Sequence, residues 1–194
     1  MRLGPRFAPA IALLLAVAVP CAARPRLADL HGHMALGFAH LSSSDTSATP
    51  GGSLSVGAGL DYPIARRLRA GVDVGYHLLG SRTLVQGSLS SGLDYSTFEA
   101  LALLQWSASG GGPEVVVSAG PGFFLARASL AATAVGAAFS PQAIEQTRAG
   151  AALGVALTRR RVTPVRVGIE AGLRLVPLES TTWTLVTARV ALRY

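Results

Sequence analysis

The chain of 194 residues is half apolar, with a mean hydropathy of +0.44 and a formal net charge of +7. Beyond its N-terminal segment it has no continuous run of 18 apolar residues, which excludes transmembrane helices and means that apolar and polar residues are interleaved. All of its basic residues are arginines, scattered without a basic helix or an aromatic-interleaved patch. The charge therefore does not indicate a nucleic-acid partner.

The N-terminus has the features of a secretory signal peptide. Two arginines and an apolar run at residues 11–19 precede a small-residue cleavage site that ends at Ala23. We therefore predict a cleaved signal at residues 1–23 and one mature domain at residues 24–194. Because the single cysteine, Cys21, leaves with the signal, disulfides and cysteine-bound metals are not expected.

Eight segments of the mature domain alternate between apolar and polar residues, and each has about the length that a tilted strand needs to cross a membrane. The segments are 30–41, 52–62, 67–79, 95–107, 114–126, 146–158, 164–176 and 183–194. Short links follow the second, fourth and sixth segments. Longer links, expected to be loops, follow the first, third and fifth, at residues 42–51, 80–94 and 127–145. This arrangement predicts an all-β fold, an eight-stranded antiparallel up-and-down transmembrane β-barrel whose closure leaves no free edge.

The polar faces of the third and seventh segments share one pattern, in which a base, a glycine, an acid, a glycine and a base follow one another. Glycine leaves space beside a carboxylate, so that an arginine from another strand can reach it, and a buried carboxylate without such a partner would be costly. We therefore predict a charge cluster in the lumen. Its predicted members are Arg69, Asp73, His77, Glu99, Arg148, Arg166, Glu170, Arg174, Arg189 and Arg193.

The last hairpin suggests a partner for one of these acids. In its simplest register Glu170 faces Arg189, while Arg166 faces Arg193, a like-charge contact that is tolerable only near a wet mouth. A register shifted by two residues is the alternative. We interpret the cluster as a plug that neutralises the interior, because eight strands enclose a bore that side chains fill, and an ion pathway is the alternative interpretation.

The signal, the eight alternating segments, the unequal links and the terminal aromatic residue together resemble the OmpA/OmpX-like outer-membrane β-barrel superfamily. This resemblance covers the whole mature chain and implies a protein of the Gram-negative outer membrane. It also implies that the last strand is read by the barrel-assembly machinery, with Tyr194, Leu192 and Val190 as the assembly signal. Tyrosine stands where phenylalanine is the commoner last residue of that family.

Aromatic residues at the ends of the apolar faces predict contacts with the membrane interface. The predicted interfacial aromatics are Tyr62, Trp106 and Trp183. Strict alternation along the last strand would instead turn Trp183 inward.

The sequence gives little support for a catalytic site or a metal site. Among the histidines only His40 has a nearby serine, Ser42, and both lie on the apolar face, so no Ser-His-acid triad is predicted. His31 and His33 lie on one face of the first strand, about 7 Å apart. No third ligand accompanies them, and we expect a water-exposed pair at the barrel mouth rather than a metal site.

These features predict a non-catalytic protein without a cofactor, exported to the outer membrane and surrounded by its lipid. We expect a monomer with a structural or surface-interaction role, which would contact an extracellular ligand through its outer loops. A narrow channel or transporter for small or hydrophobic solutes is the first alternative. A soluble periplasmic β-barrel binding protein is the second, because soluble sheets also alternate.

Overall fold

The computed structural model describes residues 29–43, 52–87, 89–108, 113–134, 137–138, 140, 142–159, 165–179 and 181–194. The predicted signal peptide lies outside the described residues. No helix within the described ranges has the length and hydropathy needed to cross a membrane.

Eight long strands carry nearly all of the described chain. They are β1 (His31–Ser43), β2 (Ser53–Ala65), β3 (Leu68–Gln86), β4 (Leu89–Ala108), β5 (Glu114–Ala134), β6 (Gln142–Thr158), β7 (Arg166–Pro177) and β8 (Thr182–Arg193). A two-residue strand, Ala137–Ala138, pairs with the end of β5. Each of the eight strands overlaps one predicted segment. The agreement arises because the apolar alternation of the sequence marks the membrane-spanning part of each strand.

The strands form a closed ring. Each pairs antiparallel with the next, and β8 returns to β1, with His33 opposite Arg193 and Ser43 opposite Trp183. The closure continues past β8, where the amide and carbonyl of Tyr194 bond with those of Gly32 at 3.0 Å. The structure thus confirms the predicted eight-stranded, up-and-down transmembrane β-barrel, in which each of the eight long strands has two neighbours.

The two faces of each strand differ in the expected sense. Large apolar side chains point outward and are exposed, as in Phe38 (72 % exposed) and Val74 (48 %). Polar and charged side chains such as His77 and Glu99 point inward and are almost completely buried. A band of exposed apolar residues around a polar interior is the arrangement that a lipid environment requires.

Four neighbouring strands are much longer than predicted. The strands β3 to β6 have 17 to 21 residues, whereas β1, β2, β7 and β8 have 12 or 13. Most of the expected loops at residues 80–94 and 127–145 is therefore strand, and β3 and β4 are joined at Gly87, whose φ of 61° suits a tight turn. The loop prediction was wrong because backbone pairing continues beyond the point at which the regular apolar alternation of the sequence stops.

The longer strands make one wall of the barrel rise above the other. We call this raised part of β3 to β6 the extension, and the end of the barrel that carries it the extended end. The opposite end, where the short links, the start of β1 and the end of β8 lie, is the turn end.

The apolar band generates a test on a single strand. Val74→Arg places a charge on the outer face in the middle of β3, and we expect it to lower the free energy of unfolding by about 2–4 kcal/mol in lipid vesicles. Val85→Arg, on the same strand but in the extension and 72 % exposed, serves as the matched control and should have little effect. Urea titration of the vesicle-embedded protein measures both, and equal losses would show that the band does not lie in hydrocarbon.

Candidate functional site: the charged lumen and its apolar plug

At the turn end, Glu114 joins two arginines across the lumen. Its Oε1 lies 3.2 Å from Arg69 Nη2 and its Oε2 lies 3.0 Å from Arg166 Nη1. Arg69 also lies 3.5 Å from the carboxylate of Asp61, which is almost fully buried. Sequence reasoning missed Glu114 and Asp61 as members of the cluster. Asp61 carried a signal, since it lies on the glycine-rich face of β2, whereas Glu114 precedes the apolar alternation of β5.

The next pairs along the lumen involve Glu170. The β7–β8 register places Glu170 opposite Arg189 and Arg166 opposite Arg193, so the simpler of the two expected registers is confirmed. Arg189 Nε lies 2.7 Å from Glu170 Oε1, and Arg193 Nη2 lies 3.9 Å from Glu170 Oε2. The like-charge contact is relieved because Arg193 turns toward Glu170 while Arg166 turns toward Glu114.

Asp73 has a histidine partner. His33 Nε2 lies 3.4 Å from Asp73 Oδ2, and both side chains are largely buried. A Cβ at Gly59 would overlap both groups, so the glycine makes their approach possible. The expectation of a water-exposed histidine pair was wrong for His33, although His31 is exposed. No group of three or more potential metal ligands occurs among the described residues.

The deepest cluster surrounds Glu99. Arg174 reaches it through two nitrogens at 3.1 and 3.2 Å, and His77 Nε2 lies 3.2 Å from its Oε1. His77 Nδ1 in turn lies 2.9 Å from Ser55 Oγ. Gly172 provides the room, since a Cβ there would overlap the guanidinium of Arg174.

Ser55, His77 and Glu99 form a serine-histidine-acid chain that sequence reasoning did not find. Ser55 and His77 are completely buried and Glu99 is 1 % exposed, so a substrate has no access to the hydroxyl group. A nucleophile must reach its target atom before its activation matters. The chain of contacts therefore fits the solvation of a buried carboxylate rather than catalysis. His40 and Ser42 lie on the exposed outer side of β1.

An apolar cluster, here called the apolar plug, fills the interior on the extended side of the charged cluster. Leu41, Leu79, Val176 and Leu185 are completely buried there. The ring of Trp183 packs edge-on against Tyr95, with centroids 6.0 Å apart and planes inclined at 70°.

Trp183 thus belongs to the plug and not to the membrane interface, which corrects its predicted place. It is 7 % exposed and belongs to the buried apolar cluster. The reason is the alternation of β8, which turns Trp183, Leu185 and Arg189 to the same inner face. The other two predicted aromatics lie near the turn end, where Trp106 is 45 % exposed and Tyr62 is partly buried.

The remaining predicted residues lie at the two ends of the barrel. Arg148 pairs with Glu179 at the extended end, where both side chains are partly or largely exposed. Arg148 is therefore near the mouth and apart from the buried charges. Tyr194, Leu192 and Val190 are exposed on the outer face of the last strand.

A small cavity lies inside the barrel. The cavity, of about 30 Å³, lies between the charged groups and the apolar side chains of β4 and β5. Its polar lining includes His33, Asp73, Gln105 and Arg189. A space of this volume admits about one or two water molecules.

Comparisons with known proteins agree with this architecture. No family model and no curated protein matches the chain. Among solved structures, Neisserial surface protein A (NspA) is similar with a TM-score of 0.57 and 15% sequence identity, over 85% of this chain and 96% of that protein. The chain has the fold of a small outer-membrane β-barrel.

A second small outer-membrane β-barrel is also similar. The attachment invasion locus protein Ail of Yersinia pestis, in its complex with the heparin analogue sucrose octasulfate, has a TM-score of 0.50 and 10% identity, over 86% of this chain and 99% of that one. At such identities the likeness concerns the path of the backbone, and the lumen of this β-barrel must be interpreted from its own residues.

The buried Glu99 cluster yields a prediction about stability. Glu99→Gln leaves the guanidinium of Arg174 buried without its counter-charge, and we expect the free energy of unfolding to fall by about 3–5 kcal/mol. Glu179→Gln makes the same chemical change in an exposed pair and should cost no more than about 1 kcal/mol. Urea titration in vesicles measures both, and a Glu99→Gln loss as small as that of Glu179→Gln would contradict the structure.

The glycines that face the lumen yield a second prediction. Gly172→Ala forces the side chain of Arg174 to move, so we expect it to lower the free energy of unfolding by about 1–3 kcal/mol. Gly92→Ala is the matched control in β4, because a Cβ there meets only one carbonyl oxygen at 4.0 Å, and we expect a change within about 0.5 kcal/mol. Unfolding of the purified variants in the same vesicles distinguishes crowding in the lumen from the general effect of replacing a strand glycine.

Proposed function

We propose that the protein is an integral outer-membrane β-barrel with a side-chain-filled lumen, without catalytic activity, that acts at the cell surface through its extended end. The observation that carries the proposal is the apolar plug, in which four aliphatic side chains have no exposed surface. A plug of this kind, above a neutralised charge cluster, favours a closed scaffold over a pore.

The lumen contents support a closed barrel in two ways. Each buried carboxylate already has a cationic or histidine partner, so a passing ion would have to displace protein charges from one another. The lumen cavity next to the charged groups, of about 30 Å³, is far smaller than a solute pathway through the barrel. Eight-stranded barrels in general have an interior that side chains fill.

The proposed orientation puts the turn end in the periplasm and the extended end outside the cell. Short periplasmic turns and longer external segments are usual for such barrels. In this orientation Arg66 and Arg67, both exposed in the β2–β3 turn, meet the phosphates of the inner leaflet. We expect the partners to be outer-membrane lipid and, during biogenesis, the barrel-assembly machinery, which would read Tyr194, Leu192 and Val190. The finished protein is proposed to be a monomer.

The extension is the proposed contact surface. It is a four-stranded sheet rather than a set of loops, and its inner side carries Leu89, Leu130 and Ile144, which are 40 %, 42 % and 67 % exposed. Exposed apolar side chains on a rigid sheet suit protein or lipid contacts better than the solvated loops expected from the sequence.

Conductance in planar lipid bilayers tests the closed lumen. We expect the mature protein, whose insertion is first checked by a heat-dependent shift on a gel, to give no stable openings. The double substitution Leu41→Ala and Leu185→Ala removes two side chains of the plug and should raise the frequency of openings. Val186→Ala, on the outer face of β8 and 49 % exposed, is the control and should leave the bilayer silent. Stable openings of the unmodified protein that an Arg189 substitution abolishes would instead identify a narrow channel.

A further inference from the structure

A second cavity lies outside the lumen, on the lipid-facing side of the barrel. It has a volume of about 400 Å³ and lies between β3, β4 and β5, where the apolar band gives way to the extension. Its size is within the range of small-molecule sites in proteins, which is about 300–1,000 Å³. Neither the closed lumen nor the inner side of the extension accounts for it.

A bulge in β3 contributes to this cavity. Leu78 pairs with Ser96 and Ser81 pairs with Asp94, so the two intervening residues of β3 oppose one residue of β4. One of the two is Gly80, which lines the cavity and has a φ of 90°. Such a bulge bends its strand, and glycine accommodates the positive φ without strain.

The lining of the cavity changes character from one side to the other. Toward the middle of the barrel it consists of Tyr76 and Leu78, which belong to the exposed apolar band and are 43 % and 40 % exposed. Toward the extension it is polar. The polar side chains that line it on the outer face are Ser81, Asp94, Ser96, Arg127 and Ser129, and two inward-facing residues, Ser53 and Tyr95, also border it. An amphipathic molecule lying along the barrel wall would meet both parts.

Cross-strand pairing brings the polar groups together on one face. Ser96 of β4 is opposite Arg127 of β5, and Asp94 is opposite Ser129. Neighbours in such rows lie about 5 Å apart at their Cβ atoms. The carboxylate, the guanidinium and the hydroxyl groups can therefore contact one small head group at the same time.

The charges in this cavity select the kind of head group. Asp94 only accepts hydrogen bonds and Arg127 only donates them, whereas serine does both. Arg127 Nε is also 3.6 Å from Glu145, so its positive charge is already matched. A phosphate would be repelled by Asp94 and would compete with Glu145 for Arg127. A metal cation would not find three ligating side chains together among the described residues. A neutral head group with several hydroxyl groups, each both donor and acceptor, matches this set.

We propose that this cavity binds the sugar head group of a glycosylated lipid, whose acyl chains continue along Tyr76 and Leu78. The hydroxyl groups of the sugar bond to Asp94, Arg127 and the serines. The aromatic ring of Tyr76 and the side chain of Leu78 contact the lipid at the junction of head group and chains. The inference rests on the proposed insertion into a membrane and adds a lipid-selective site to it.

Lipid retention measured by native mass spectrometry tests the proposal. The mature chain is folded in dimethylamine-oxide micelles, because a sugar-headed detergent would compete for the cavity. Digalactosyl diacylglycerol and phosphatidylglycerol with identical acyl chains are then titrated separately. We expect the galactolipid to bind about tenfold more tightly, the factor that corresponds to one hydrogen bond to a charged group.

Three variants locate the binding. Ser96→Trp fills the cavity and should abolish the preference for the galactolipid. Ser42→Trp is the matched control, since Ser42 is exposed on the outer face of β1 near the same end of the barrel, and it should keep the preference. Asp94→Asn keeps the size of the side chain but removes its charge, and we expect it to weaken galactolipid binding and to strengthen phosphatidylglycerol binding.

Each outcome has a distinct meaning. Equal retention of the two lipids, or an unchanged preference in Ser96→Trp, would overturn the proposed site while leaving the closed barrel intact. Free digalactose that binds as tightly as the galactolipid would overturn the part of the proposal that assigns the acyl chains to Tyr76 and Leu78. A protein that shows no heat-dependent gel shift would refute membrane insertion, and with it both proposals.

Discussion

The closure of only eight strands is the constraint on which the rest of the structure depends. A ring of this size leaves an interior that must be filled by its own side chains, and half of the strand residues point into it. The charged groups that are buried on that face have no bulk water, so each must find a counter-charge from another strand. The lumen glycines follow from the same constraint, because Gly59 and Gly172 provide the space in which Asp73 and Arg174 meet their partners.

The alternation of the sequence predicted the strand number and the closure, and for the last hairpin it predicted even the register. Glu170 faces Arg189 because a short link fixes which residues are opposite. Partners across the lumen were harder to predict from the sequence, as the contacts of Glu114 with Arg69 and Arg166 show. Such contacts depend on the stagger of non-neighbouring strands, which no local pattern encodes.

The height of the extension and the place of Trp183 were missed for different reasons. Apolar alternation marks the part of a strand that meets lipid, so it ends before the pairing of β3 with β4 ends. The amphipathic character of tryptophan favours a membrane interface, but at position 183 the alternation of the strand outweighs it. The period of the backbone decides the face on which a side chain lies, and residue preference only adjusts the outcome.

The pairing of the first strand with the last has a consequence for synthesis. His33 and Arg193 are neighbours in the sheet although nearly the whole described part of the chain separates them in sequence. Contacts of such long range form late, because the loop that they close costs conformational entropy before the contact repays it. Until β8 has been made, β1 keeps an unpaired edge, which is a site of aggregation in water. The ring therefore cannot close, and β1 keeps its free edge, until β8 is available to pair with it.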